Sequence, residues 1–178
     1  MQKVVVATDI HGSASCGQQV LDAFYRENAD ALILLGDIYY HGPRNPLPEG
    51  HGPMQLAELL NGIADKLICV KGNCDAEVDA MISKFEFLAP HTVEVGDVSL
   101  FLTHGHECVE VPYWVDVVLR GHYHVNSDEK VDGMRVLGLS SASLPKGGCE
   151  PCYLVIEGGV AEYKKLSDAT TILTKNLK

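Results

Sequence analysis

Short apolar runs alternate with amphipathic stretches through the first half of the chain. Lys3–Thr8, Ala31–Leu35 and Lys66–Val70 are aliphatic, partly β-branched runs that suit strands buried on both faces. Between the first two, Cys16, Val20, Leu21, Phe24 and Tyr25 recur at helical spacing within Ser13–Asn28. Leu56, Leu59, Leu60 and Ile63 do the same after Pro53, a residue suited to a helix's first turn. A third helix is expected from about Ala76 to Lys84. Beyond Phe85 the pattern changes to strand, turn, strand. His91–Val95 and Val98–Thr103 flank the two-residue turn Gly96-Asp97, and Trp114–Leu119 is one more apolar strand. Lys130–Leu139 folds back through Asp132-Gly133, Cys152–Glu157 pairs with Val160–Lys165 through Gly158-Gly159, and Thr170–Leu173 adds an edge strand. No repeat, low-complexity segment or boundary interrupts this order, so residues 1–178 read as a single α/β domain, two sheets packed face to face with helices outside.

Two irregular segments stand out. His41–Pro53 contains four prolines and three glycines, too many for a regular element. A connection of that length in a compact domain points to a functional flap or a mobile surface loop. Ser140–Gly148 is a second polar, glycine-ending loop.

Composition narrows the function. The 178 residues are 46% hydrophobic and 21% charged, an ordinary globular balance with length for a sizeable core. A net charge of −10 without any basic run disfavours a long nucleic-acid footprint. It leaves room for a small phosphorylated substrate, because bound cations can reverse the local field. No apolar run reaches the roughly 18 residues of a membrane span, and the N-terminus lacks the pattern of a secretion signal. The expected location is the cytoplasm, with no membrane partner. The six cysteines are then expected as thiols, and Cys149-Glu-Pro-Cys152 as a turn with incidental sulfurs. Exposed apolar loop residues are compatible with a homo-oligomer.

The chemistry lies at the ends of the strands. Five segments place Asp9, His11, Asp37, Asn73, His104, His122 and His124 just after a buried run. In open α/β sheets ligands gather at such carboxyl ends. Alternation along a strand predicts that His122 and His124, two apart, face one small volume. Each residue also has an ordinary reading: Asp9 as a helix cap, Asn73 as a turn residue beside Gly72. The joint pattern argues against coincidence. Two carboxylates, one amide and four imidazoles exceed a three-ligand zinc site and suit two ions sharing a carboxylate. Oxygen and nitrogen donors without thiolate point to Mn, Fe, Zn, Ni or Co, manganese foremost. A Cys-His nucleophile built on Cys74 would leave both aspartates unexplained, and no phosphate-binding Gly-x-x-x-x-Gly-Lys motif occurs.

Asp9-x-His11, Gly36-Asp37, Gly72-Asn73, Thr103-His104-Gly105-His106 and Gly121-His122-x-His124, in that order, resemble the calcineurin-like metallophosphoesterase superfamily. His41–Asn45, Leu47–Gly50, Gly72–Asp75 and Ser143–Gly147 are similar to its small bacterial phosphodiesterases of the YfcE type. The resemblance implies an αββα sandwich carrying a dinuclear centre. One ion would take Asp9, His11, Asp37 and His124, and the other Asp37, Asn73, His104 and His122, with Asp37 bridging. It further implies a metal-bridging hydroxide attacking phosphorus in line, catalytic roles for Asp37, Asn73 and His106, and small phosphodiesters as substrates. His106 would stand beside the second ion, and Asp75 would orient the Asn73 loop. Arg44, Lys71 and Lys146 are the basic groups near the motif loops that could contact phosphate. A phosphomonoesterase or nuclease on the same site, or a non-catalytic scaffold on the same fold, are the alternatives.

Two features depart from the family pattern. Leu139–Ala142 replaces an Asn-Pro-Gly-Ser run before the last loop, and the stretch from His106 to Gly121 is short. Cys74 stands where many members carry His after the Asn, as in the YfcE-type pattern. A thiol with an ordinary pKa near 8.5 is a weaker proton donor than imidazolium, which favours diesters with good leaving groups, aryl phosphodiesters among them. Cys74→His is therefore expected to raise the rate on substrates with poor leaving groups by at least about tenfold relative to aryl diesters. Unchanged rates on both classes in a steady-state assay would remove position 74 from leaving-group chemistry.

Overall fold

A computed structural model describes residues 1–178. The first half runs β1 (Lys3–Ala7), α1 (Ala14–Arg26), β2 (Ala31–Leu34), α2 (Pro53–Asn61), β3 (Leu67–Val70), α3 (Glu77–Ala80) and β4 (Phe87–Leu88). Then come β5 (His91–Val95), β6 (Val98–Thr103), β7 (Val117–Arg120), β8 (Ser127–Val131), β9 (Met134–Gly138), β10 (Cys152–Glu157), β11 (Val160–Lys165) and β12 (Thr171–Asn176). One sheet has seven strands in the order β12-β11-β10-β1-β2-β3-β4, and the other has five in the order β5-β6-β7-β9-β8.

Side-chain alternation explains how the layers meet. Val4 and Val6 of β1, with Ile33 of β2 and Leu154 of β10, point inward against Leu100, Leu102, Val117, Leu119 and Leu137 of the second sheet. Val5, Ala7, Leu32, Leu34 and Tyr153 point the other way, onto Val20, Leu21 and Phe24 of α1 and Leu56 and Leu60 of α2. Ser13 caps α1 by accepting from the Cys16 amide at 3.2 Å, which leaves Asp9 free of capping.

The helices cover only the outer face of the seven-stranded sheet. β6 and β7 are parallel, so the chain must cross over between them. The connection from residue 104 to 116 carries no helix, and it lies irregularly with Val109, Val111 and Val115 against Phe101, Val118 and Val136. This also corrects the strand expected from Trp114. The strand starts at Val117, and Trp114 stays 53% exposed in the turn before it. The helix expected over 76–84 is a single turn, because Ile82, Phe85 and Phe87 are drawn into the core beneath α2 while Val78 and Met81 remain exposed. The hairpins through Gly96, Gly133 and Gly158-Gly159 form as expected, and β12 runs on to Asn176.

The strand directions fix where chemistry can occur. β1, β2 and β3 are mutually parallel, as are β6 and β7, and all five end at one edge of the sandwich. Leu56→Ala, which empties a fully buried contact beneath that edge, should cost about 3 kcal/mol in urea unfolding. A loss below about 1 kcal/mol would mean that α2 does not anchor the core.

Candidate metal centre

The strand-end loops turn sharply. Asp9, His11, Asp37, His122 and His124 all have positive φ, between 52° and 67°. Asp and His tolerate this left-handed region better than most residues, but it still costs of order 1–3 kcal/mol at each position. Five such residues in one cluster mark a site at which geometry is held against local preference. His122 and His124 lie beyond β7 in left-handed turns; both line one cavity, but their rings have different neighbours. The Nε2 of His124 stands 3.2 Å from that of His11, whereas the His122 ring lies 5.1 Å from His104.

The convergence has two halves. In the first, the Nε2 atoms of His11 and His124 approach Asp9 Oδ1 at 3.5 and 3.2 Å. They are close but not aligned as hydrogen bonds, and Asp9 Oδ1 has no hydrogen-bond partner although fully buried. Asp9 Oδ2 is used differently, accepting from the Thr8 hydroxyl at 2.7 Å and from the His122 amide at 2.9 Å. In the second half, His104 Nε2 lies 3.1 Å from Asn73 Oδ1 and 3.4 Å from Asp37 Oδ1. Asp37 Oδ2 faces the first half, 3.9 Å from His11 Nε2. Asp37 thus addresses both.

The imidazoles are oriented from behind. Nδ1 of His11, His104 and His124 donates to the backbone oxygens of Tyr40, Leu35 and Leu144 at 2.8, 2.6 and 2.6 Å. A ring whose Nδ1–H is committed in this way presents the Nε2 lone pair, the arrangement that holds histidine towards a metal. The donor chemistry, the unpartnered Asp9 oxygen and the aimed Nε2 atoms together fit divalent cations. Ligand atoms within 4.8 Å of one another also group as Asp9, His11 and His124, as Asp9, Asp37 and His104, and as His11, Asp37 and Cys74.

Electrostatics follow from burial and charge. Burial pushes the Asp9 carboxyl up, but the His11 and His124 imidazoles outweigh it and hold the group well below the carboxylate range. Burial disfavours a proton on His104, yet Asp37 and Asp9 reverse this and raise it to about 9. His11 is raised by Asp9 against the same burial. His122 is lowered, by burial and then by the His104 charge. Burial, followed by the Asp37 charge, pushes the Cys74 thiol up to about 12.

Backbone contacts set the spacing. A Cβ at Gly72 would stand 2.2 Å from Asp37 Oδ1, and one at Gly121 would stand 2.1 Å from Thr8 Oγ1. Only glycine lets these loops approach so closely. The Asp75 carboxylate accepts from the amides of Asp37, Ile38 and Gly72 at 2.8, 2.8 and 2.7 Å, tying the loops after β2 and β3 together. Burial pushes it up to about 6 in spite of these donors.

Above the cluster is a cavity of about 390 Å³ lined by Asp37, Asn73, Cys74 and His122, and on its rim by Arg44 and Lys146. The structure does not bring Lys71 there. That residue lines a neighbouring hollow with His106 and Glu107, although Asn73 and Cys74 of the same loop reach the cavity. The His106 ring lies 5.3 Å from His104, on the flank of the second half. Thr8, Ser141, whose hydroxyl donates to the Asp9 carbonyl at 2.6 Å, and Tyr123 were not selected from the sequence. The first two are ordinary small polar residues without a motif signal. Tyr123 had only its place between two histidines to mark it.

The sequence profile described as the calcineurin-like phosphoesterase superfamily domain matches residues 1–158, and the chain belongs to that superfamily. Its relatives include the protein named phosphodiesterase YfcE of Escherichia coli strain K12, 40% identical over 177 residues, 97% of this chain and 96% of that one. The solved structure of YfcE, a phosphoesterase from E. coli, superposes with a TM-score of 0.90 at 38% identity, over 99% of this chain and 100% of the other. A predicted phosphoesterase from Streptococcus pneumoniae shares the fold at 23% identity and a TM-score of 0.65, over 98% and 95% of the two chains. Vps29 of Entamoeba histolytica, in complex with Zn²⁺, shares it at 17% identity and a TM-score of 0.62, over 99% of each chain.

Protonation makes a testable statement about the metal-free site. His104 holds its proton up to about pH 9 there, against an ordinary 6.5, so the stabilisation from this pair is complete below pH 6.5 and is lost as pH rises through 9. A cation bound by His104 would have to displace that proton. Apparent metal affinity should therefore climb with pH from 6.5 to 9, with proton release visible by calorimetry in buffers of different ionisation enthalpy. Affinity independent of pH across that range would show that His104 does not bind the ion.

Proposed function

We propose that this chain is a phosphodiesterase, a phosphoric diester hydrolase that acts on small substrates and depends on two divalent ions. Asp9, His11, Asp37 and His124 hold one ion. Asp37, Asn73, His104 and His122 hold the other, and manganese is the first choice among Mn, Fe, Zn, Ni and Co. The observation that carries this reading is the division of Asp37, one oxygen towards each half of the cluster. Its superfamily membership and the activity named for its E. coli relative support the reaction class.

When bound, the ions supply charge neutralisation for the phosphoryl oxygens and a water of lowered pKa. The remaining work falls to the chain's own residues. Arg44 and Lys146 sit on the cavity rim, where a diester's non-bridging oxygens can be drawn in and oriented. Asp75 keeps Asp37 and the Asn73 loop at fixed separation through three backbone amides. Cys74 holds its proton too tightly to serve as an efficient acid at neutral pH. Departure of the leaving group then depends on its own stability as an anion, which selects diesters with good leaving groups. His106 flanks the second ion's ligands and is assigned an orienting role.

The cavity size and the charge of −10 support small diesters over long nucleic acid. No helix is long and apolar enough to cross a membrane. The reading takes residues 1–178 as one domain working in the cytoplasm.

The decisive experiment compares chelated protein with protein given Mn²⁺, Ni²⁺, Zn²⁺ or Mg²⁺ on bis-p-nitrophenyl phosphate. Turnover should return with metal and fall by at least about 10²-fold in Asp37→Ala. Turnover without metal, or equal turnover in Asp37→Ala, would overturn the assignment.

A further inference from the structure

Tyr123 stands between two proposed metal ligands and lies outside the hydrophobic core. Its side chain is 52% exposed, its hydroxyl makes no hydrogen bond, and it belongs to no core cluster. Exposing an aromatic ring of that size costs stability that burial would have recovered. Yet the ring is held firmly. The Tyr123 amide donates to the Gly121 carbonyl at 2.8 Å, and His122 and His124 on either side are both left-handed. The Arg120 guanidinium lies over one face of the ring, 4.8 Å from its centroid, and is itself fixed by Glu129 at 2.9 Å. The His122 ring meets it edge-on at 5.1 Å. The surface left free forms part of the cavity wall, where Tyr123 is the only aromatic carbocycle.

We infer that Tyr123 is the specificity platform of this site, stacking an aromatic ester arm of the substrate. Arg120 and Glu129 act as its buttress. The preferred substrates are then phosphodiesters in which at least one arm carries a flat aromatic group, a nucleobase or a phenol. A rigid ring costs little conformational entropy when it stacks, and any base or aryl group offers a π-face to it. This rests on the phosphodiesterase reading and adds to it what the ions and ligands cannot supply, since they touch only the phosphoryl group.

The test uses full-length protein loaded with Mn²⁺ and reads binding directly. By calorimetry, the wild type should bind phenyl phosphate and AMP more tightly than methyl phosphate. Tyr123→Ala should weaken the aromatic ligands by about tenfold and leave methyl phosphate unchanged, whereas Tyr123→Phe should keep the preference. With bis-p-nitrophenyl phosphate, KM should rise about tenfold in Tyr123→Ala while kcat stays within about twofold. Tight binding of AMP alone would identify a nucleobase as the stacked group, and of phenyl phosphate alone a phenol. Equal affinity of the three ligands for the wild type, or equal weakening of all three in Tyr123→Ala, would overturn the inference. If no diester is hydrolysed but the aromatic preference holds and vanishes in Tyr123→Ala, the platform stands and the diesterase reading falls.

Discussion

Two carboxylates, Asp9 and Asp37, are taken out of water at the seam between the sheets. An isolated buried charge is costly, and two of the same sign close together are costlier still. The surrounding structure offsets that cost. Imidazoles from His11, His104 and His124 close on the pair, the Thr8 hydroxyl and the His122 amide serve Asp9, and the Cys74 amide serves Asp37. The match remains incomplete, because Asp9 Oδ1 is left without a partner. A cluster of this kind is completed by cations, and it doubles as the joint between the sheets. His104 from the second sheet donates to the Leu35 carbonyl of the first, and the His122 amide reaches Asp9.

The left-handed turns and the close glycines follow from the same constraint. Five strands delivering side chains to one small volume must stop abruptly, since a regular strand would carry alternate residues to opposite faces. Left-handed residues after β1, β2 and β7 redirect the side chains that follow those strands. Gly72 and Gly121 allow neighbouring loops to lie against carboxylate oxygens where a Cβ would collide. Strain is thus concentrated at the chemical centre and balanced by a core of valines, leucines and isoleucines in which β1, β2, β6 and β10 are buried over almost their whole length.

Much of this was legible in the chain. The buried runs, the glycine hairpins and the two large helices follow from periodicity and turn chemistry, which act over a few residues. The side chains at the cluster were legible as well, since each follows an apolar run. Where the reading of the residues failed, long-range packing had overridden a local pattern. The Ala76–Lys84 helix shrank to one turn because Phe85 and Phe87 were needed in the core. Trp114 reads as the start of a strand but lies outside it, because the crossover before β7 must cover the outer face of the second sheet. Lys71, expected near the phosphate, lines a neighbouring hollow with His106, whereas Asn73 and Cys74 of the same loop reach the cavity.

The sequence by itself determined the inventory: which strands are buried, which residues follow them, and that their donors are oxygen and nitrogen. These properties are local, set by side-chain chemistry and by the period of the hydrophobic pattern. Only the tertiary structure decided the partition. It sent His122 and His124 to opposite halves, turned the two oxygens of Asp37 in different directions, aimed Nε2 by committing Nδ1 to carbonyls from other loops, and left Tyr123 on the cavity wall. Those outcomes depend on backbone groups far apart in the chain, which carry no residue-type signal and meet only when the two sheets close.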